Sequence, residues 1–166
     1  MGKTTLIQKL WKHLIYLHPV GFYTAEIREG GIRRGFEFIS LDGRKGILSH
    51  VDIRSPFRVG KYKVNVEGFE DFLETIPFFH PETRLILIDE IGKMECFSEK
   101  FKRILIGVLD SEKRVIATIA LKGDGLIREV KKRPDVKLLE LTHSNRDSFL
   151  KEILKEVGPI FSKNFL

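Results

Sequence analysis

The sequence predicts an α/β layered domain with a mostly parallel central sheet and one added β-hairpin. Three observations carry that prediction. Apolar runs of strand length alternate with segments of helical period, the pattern of a sheet covered by helices. Leu85-Ile86-Leu87-Ile88 is continuous in branched apolar residues, as strands buried on both faces are. Asp42-Gly43 separates two short β-favouring segments and signals a hairpin turn.

Leu6, Ile7, Leu10, Leu14 and Leu17 recur at helical spacing, which predicts a helix from about Lys3 to Leu17, stopped by Pro19. Val20 to Ile27 reads as a strand, with Phe22 and Tyr23 favouring an extended chain. Gly30-Gly31 is a turn, and Phe36–Ile39 and Gly46–Leu48 are the next two strands. Residues 51–65, with Pro56, Gly60 and many basic side chains, show no clear element. Phe69, Phe72 and Leu73 suggest a helix ending before Pro77. After the Leu85–Ile88 strand, Ser98 has the position of a helix N-cap, followed by an apolar face of Phe101, Ile104, Leu105, Val108 and Leu109. Val115–Ile119 is a strand, Leu126–Lys132 a short helix and Val136–Leu141 a further strand. Ser144-Asn145-Arg146-Asp147 resembles a capping box opening a last helix, which Gly158-Pro159 would end. No repeat, low-complexity stretch or linker interrupts the chain, so residues 1–166 are expected to form one domain.

Composition narrows the function classes. The 166 residues carry 29 Lys plus Arg against 23 Asp plus Glu, a net charge of +6, which favours anionic partners such as nucleotides. The charges are scattered, with short basic runs only at Arg33-Arg34 and Lys131-Lys132-Arg133, so most of them read as solvated surface. No apolar run approaches the roughly 20 residues that span a bilayer. The start lacks the pattern of a secretory signal. The single cysteine, Cys96, excludes an internal disulfide framework and a cysteine zinc site. A reducing cytoplasm is the expected location, with no membrane partner. The five histidines offer no i, i+4 pair for a metal. Trp11 and the 13 Phe read as core and interface residues.

Two motifs carry chemistry. Gly2-Lys3-Thr4 matches the end of the P-loop pattern, in which backbone N–H groups wrap phosphates, the Lys reaches the β- and γ-phosphates and the hydroxyl ligates Mg²⁺. The predicted helix starts at the Lys, and a helix N-terminus favours an anion. Alone this tripeptide is a weak signal. Leu85 to Ile88 followed by Asp89-Glu90 strengthens it: a buried strand ending in two acids supplies one carboxylate for the Mg²⁺ shell and a second as general base toward water.

These motifs sit within a longer likeness. Asp89-Glu90-Ile91-Gly92-Lys93-Met94-Glu95, then Ser98, Lys100 and Phe101, resembles the small P-loop nucleoside-triphosphatases first described from thermophiles, a family with a cancer-related human relative. Gly21-Phe22-Tyr23-Thr24, Glu26-Ile27-Arg28, Gly35-Phe36, Val59-Gly60-Lys61-Tyr62, Val64-Asn65, Ala117-Thr118-Ile119 and Asn145-Arg146-Asp147 agree, so the resemblance covers essentially the whole chain. It implies a RecA-like P-loop NTPase core, Mg²⁺ as cofactor and hydrolysis of nucleoside triphosphates with broad base tolerance. The expected nucleotide-binding residues are Gly2, Lys3, Thr4, Thr5, Asp89 and Glu90, with Glu90 and Lys3 catalytic and Thr4 and Asp89 at the metal. In one respect the chain departs from the family pattern. Met1 falls on the last variable position of the loop, so the first strand and the first loop glycines are expected to be missing, either through a start upstream of Met1 or in a short chain with an impaired phosphate site.

Other residues are open on sequence alone. Arg28, Arg33, Arg34, Arg58 and Arg146 could each supply transition-state charge, with a surface ion pair as the alternative. Lys93 could contact phosphate or serve as an ordinary loop lysine. Cys96 has no neighbour that marks it as a nucleophile. Two further function classes remain beside hydrolysis: a nucleotide or small-molecule kinase with residues 28–61 as its lid, and a non-catalytic nucleotide- or RNA-binding module.

Overall fold

Alternate residues of one strand face two different cores, and the layers follow from that. In the computed structural model, which describes residues 2–162 with side chains to Val157, strand β6 spans Leu85–Ile91. Its Ile86 and Ile88 belong to one buried cluster, and its Leu85 and Leu87 to another. The period of two along a strand divides them this way. The remaining strands are β1 (Val20–Glu29), β2 (Ile32–Ser40), β3 (Lys45–His50), β4 (Arg58–Val59), β5 (Tyr62–Val64) and β7 (Arg114–Ile119). The helices are α1 (Lys3–His13), α2 (Val66–Glu74), α3 (Glu99–Asp110), α4 (Leu126–Lys132) and α5 (Arg146–Ser162).

One mixed sheet runs in the order β4-β5-β3-β2-β1-β6-β7. The neighbours of β6, strands β1 and β7, are parallel to it. From β1 outward the pairing is antiparallel, and this extension takes in β4 and β5 as well as the expected hairpin. Helices α2, α3 and α4 cover one face through Phe69, Phe72, Phe101, Leu105 and Ile127. Phe22 from β1 sits edge-on to Phe69, with ring centroids 5.6 Å apart. Helices α1 and α5 cover the other face through Ile7, Leu10, Phe149 and Ile153, joined by Leu14 just past α1. The layered α/β arrangement is therefore as expected.

Backbone proximity dictates the glycine at position 21. Gly21 has φ 141°, and a Cβ there would run into the Leu87 carbonyl oxygen. The absence of a side chain lets β1 lie against β6 at this point. Residues 51–65, unreadable in the sequence, end in Asn65, whose side-chain oxygen accepts from the Gly68 N–H and caps α2. The Ser98 cap is as predicted: its Oγ accepts from the Phe101 N–H at 2.9 Å.

Four boundaries differ from expectation. Helix α1 stops at His13, and Ile15–Leu17 forms a 3-10 turn closed by His18 at φ 50°. Residues 136–141 are not a strand. A strand needs a ladder partner, and β7 is the last strand of the sheet among the described residues. There is no capping box at Ser144–Asp147, because the Asn145 side chain turns back to accept from the Thr142 N–H. Gly158-Pro159 lies inside α5, whose backbone continues to Ser162. No helix among the described residues is long and apolar enough to cross a membrane.

Candidate active site

The carboxyl ends of β6 and β7 meet the amino end of α1, and there the predicted residues converge. Gly2 precedes α1 with φ 113°, and its carbonyl accepts the first helical hydrogen bond from the Leu6 N–H at 2.8 Å. The N–H groups of the first turn have no helical acceptor and are free to face an anion. Lys3 and Thr4 project from this turn toward β6. The Thr4 hydroxyl donates to Asp89 Oδ2 at 2.5 Å, and Lys3 Nζ donates to Glu90 Oε2 at 2.5 Å and reaches the Ile119 carbonyl at 3.5 Å. Gly2, Lys3, Thr4, Asp89 and Glu90 thus form one site. Thr5, also expected there, is exposed on the same turn.

Asp89 is 2% exposed. Burial pushes its carboxyl above the usual range, and hydrogen bonds from the Thr118 hydroxyl, the Thr4 hydroxyl and the Thr24 backbone pull it back down. The Thr118 hydroxyl donates to Asp89 Oδ1 at 2.6 Å, so both carboxylate oxygens are held. Thr118 comes from β7 and Thr24 from β1, the two strands that flank β6. Neither was assigned a role from sequence; the signal available was a hydroxyl within an apolar strand next to the acidic one. Past the site, the β6–β7 ladder skips from Ile88 to Ile91. There Asp89 and Glu90 leave the regular pairing and turn toward α1.

The arginines sort by geometry. Arg28 and Arg33 pair with Glu26 and Arg34 with Glu29 along the β1–β2 hairpin, and Arg34 also pairs with Asp52 just past β3. Arg33 also lies over the Phe36 and Tyr62 rings. These three are surface ion pairs on the hairpin. Arg58 is on β4, at the far edge of the sheet. Arg146 is brought to the start of α1: its Cδ lies 3.9 Å from the position a Cβ of Gly2 would take. Lys93 is exposed on the wall of an open basin of about 600 Å³ shared with Lys122, Arg128 and Lys131. The Cys96 thiol is half-buried and pushed up to about 11, which leaves it protonated and unreactive.

A model of the NTPase family matches residues 1–154. The chain belongs to that family. It is 48% identical over 155 residues to the nucleoside-triphosphatase THEP1 of Thermotoga sp. (strain RQ2), covering 93% of this chain and 88% of the relative. It is 38% identical to the human cancer-related nucleoside-triphosphatase, covering 93% of this chain and 90% of that one. The crystal structure of THEP1 from the hyperthermophile Aquifex aeolicus superposes with a TM-score of 0.81 at 36% identity, covering 94% of this chain and 92% of the other. The RecA-like P-loop architecture expected from the sequence agrees with that likeness.

The donors present suit a magnesium ion. Thr4 and Asp89 offer hard oxygen ligands 2.5 Å apart at the helix start. No cluster of three His, Cys, Asp or Glu side chains that could hold a metal occurs among the described residues. Two hard oxygen donors beside a helix start are the kind of pair through which Mg²⁺ is held when phosphates complete its shell.

Proposed function

We propose that this member of the NTPase family hydrolyses nucleoside triphosphates to the diphosphate and phosphate, with Glu90 as general base. The observation that supports the reading best is the placement of Glu90 beside Lys3, at the rim where the first turn of α1 faces Asp89. Gly2 and the N–H groups of the first turn receive the phosphates. Lys3 leaves Glu90 for the β- and γ-phosphate oxygens and balances the charge that builds up there. Glu90, released from that pair, takes a proton from water as the water oxygen bonds to the γ-phosphorus. The β–γ bridging bond breaks and its electrons stay on the diphosphate. Thr4 and Asp89 would hold Mg²⁺, which supplies Lewis-acid neutralisation of the phosphate oxygens when bound. Thr118 and Thr24 keep Asp89 aimed at Thr4. Arg146, beside Gly2, is the arginine best placed to add positive charge over the phosphates.

Phosphate release from ATP, GTP, CTP and UTP with and without Mg²⁺, in a salt series, tests this reading. Turnover that needs Mg²⁺ and varies little between bases and with moderate salt is the expected result. Absence of phosphate release from every triphosphate, with retained binding that collapses as salt rises, would point instead to a nucleic-acid-binding module.

A further inference from the structure

Two carboxyl groups converge on Gly92. A Cβ placed on Gly92 would lie 2.8 Å from Glu95 Oε2 and 2.9 Å from Glu90 Oε1. Both acids therefore pack against Gly92 at the end of β6. Glu95 is 4% exposed, and no cation pairs with it among the described residues. Its carboxyl is met by the backbone N–H groups of Gly92 and of Glu95 itself. Burial, reinforced by the charges on Glu90 and Asp89, pushes it up to about 8. It is therefore mostly an uncharged acid near neutral pH.

The local backbone explains the placement. Glu95 opens a 3-10 turn, Glu95–Phe97, directly after the catalytic strand, and the Cys96 N–H donates to the Gly92 carbonyl at 3.1 Å. The Ser98 N–H donates to the Glu95 carbonyl, which ties the turn to the cap of α3. An apolar side chain of similar size would fill this space at lower desolvation cost, but it would leave the buried amides without an acceptor.

We infer that Glu95 is a positioning residue for Glu90: its buried carboxyl, packed over Gly92, walls the Glu90 carboxyl and fixes the direction in which the base faces water. The inference rests on Glu90 being the base. It goes beyond that reading by assigning a buried acid outside the residues placed at the phosphates and the metal. Displacing a catalytic group by about 1 Å can cost on the order of 100-fold in rate, so a small shift in this wall is measurable.

The experiment compares kcat, KM and thermal unfolding for Glu95→Ala, Glu95→Gln and Gly92→Ala, with Glu90→Gln alongside. Glu95→Ala is expected to lower kcat by roughly 10- to 100-fold with KM within about 3-fold of wild type, because Gly2, Lys3 and Thr4 are untouched. Glu95→Gln, neutral and nearly the same shape, restores most of kcat. Gly92→Ala, whose methyl pushes on both carboxyls, lowers kcat as Glu95→Ala does and keeps the inference testable if Glu95→Ala does not fold. Unchanged kcat in Glu95→Ala or Gly92→Ala overturns the inference, as does a loss that appears equally in KM. So does a Glu95→Gln variant as slow as Glu95→Ala, since an ionised or proton-exchanging group would then be required. A Glu90→Gln variant that keeps turnover removes the base assignment itself. That outcome is distinct from a Glu95 variant with normal kcat beside an inactive Glu90→Gln.

Discussion

Lys3 Nζ stands 2.5 Å from Glu90 Oε2, closing an ion pair across 87 residues of sequence. In the proposed mechanism these two side chains, one assigned to the γ-phosphate and one to water, neutralise each other until a phosphate separates them. Both side chains are partly exposed, so the pair itself adds little stability and exchanges readily for a more highly charged ligand.

Changing Glu90 to Gln should abolish hydrolysis while leaving nucleotide binding intact, since the amide keeps the shape and loses the basicity. A fall in kcat of at least about 100-fold is expected for loss of the base. Phosphate release and nucleotide affinity measured on the same preparation check this, and turnover within a few-fold of wild type would remove Glu90 from the role.

Lys3→Ala should weaken triphosphate binding more than diphosphate binding, because the ammonium reaches toward the β- and γ-oxygens. Thr4→Ala should instead raise the Mg²⁺ concentration needed for half-maximal activity, since it removes an oxygen 2.5 Å from Asp89. Calorimetric titration with both nucleotides, with and without Mg²⁺, separates the two effects. Equal losses for tri- and diphosphate on changing Lys3 would contradict its placement.

Glu95 should leave a mark on the pH dependence of stability. Its carboxyl rises from an ordinary 4.5 to about 8 on folding, so the folded chain binds a proton that the unfolded chain has lost. Between those values the unfolded state is ionised and the folded state is not. Stability therefore falls as pH rises through about 4.5 to 8 and levels off above it. Glu95→Gln should remove one proton's worth of that slope. Denaturant melts at several pH values measure it, and identical slopes in the two proteins would refute the assignment.

Gly21→Ala should destabilise the fold by at least about 3 kcal/mol, at the upper end for overpacking, because the new methyl meets the Leu87 backbone rather than a movable side chain. Gly43→Ala, at an open turn with φ 96°, gives the comparison in which only backbone strain acts. A similar loss from both would show that β1 and β6 can separate at little cost.

The outer amides of β7 should exchange with solvent faster than those of β6, by about 100-fold or more. Strand β6 is bonded on both sides, and β7 on one side only among the described residues. Hydrogen exchange resolved by residue would show alternate slow and fast positions along Arg114–Ile119, and uniform protection would contradict an edge position.

The alternation of apolar strands with helical segments was enough to foretell a layered α/β domain, because burial on both faces of β6 demands a continuous apolar run with helices on each side. Gly2-Lys3-Thr4 and Asp89-Glu90 could be singled out as candidates because their signals are local, a helix start and a strand end, and the fold brings them together. What the residues could not show alone was who stands beside whom across the sheet. Thr118 and Thr24 reach Asp89 only because β7 and β1 flank β6. Five arginines looked equivalent until tertiary contacts tied Arg28, Arg33 and Arg34 to acids on and beside the hairpin and set Arg146 against Gly2. Val136–Leu141 has the composition of a strand but not its structure, since a strand is made by its neighbour's hydrogen bonds as much as by its own side chains. Glu95 reads as one more charge in the chain; burial against Gly92, beside Glu90, makes it an uncharged acid at the site.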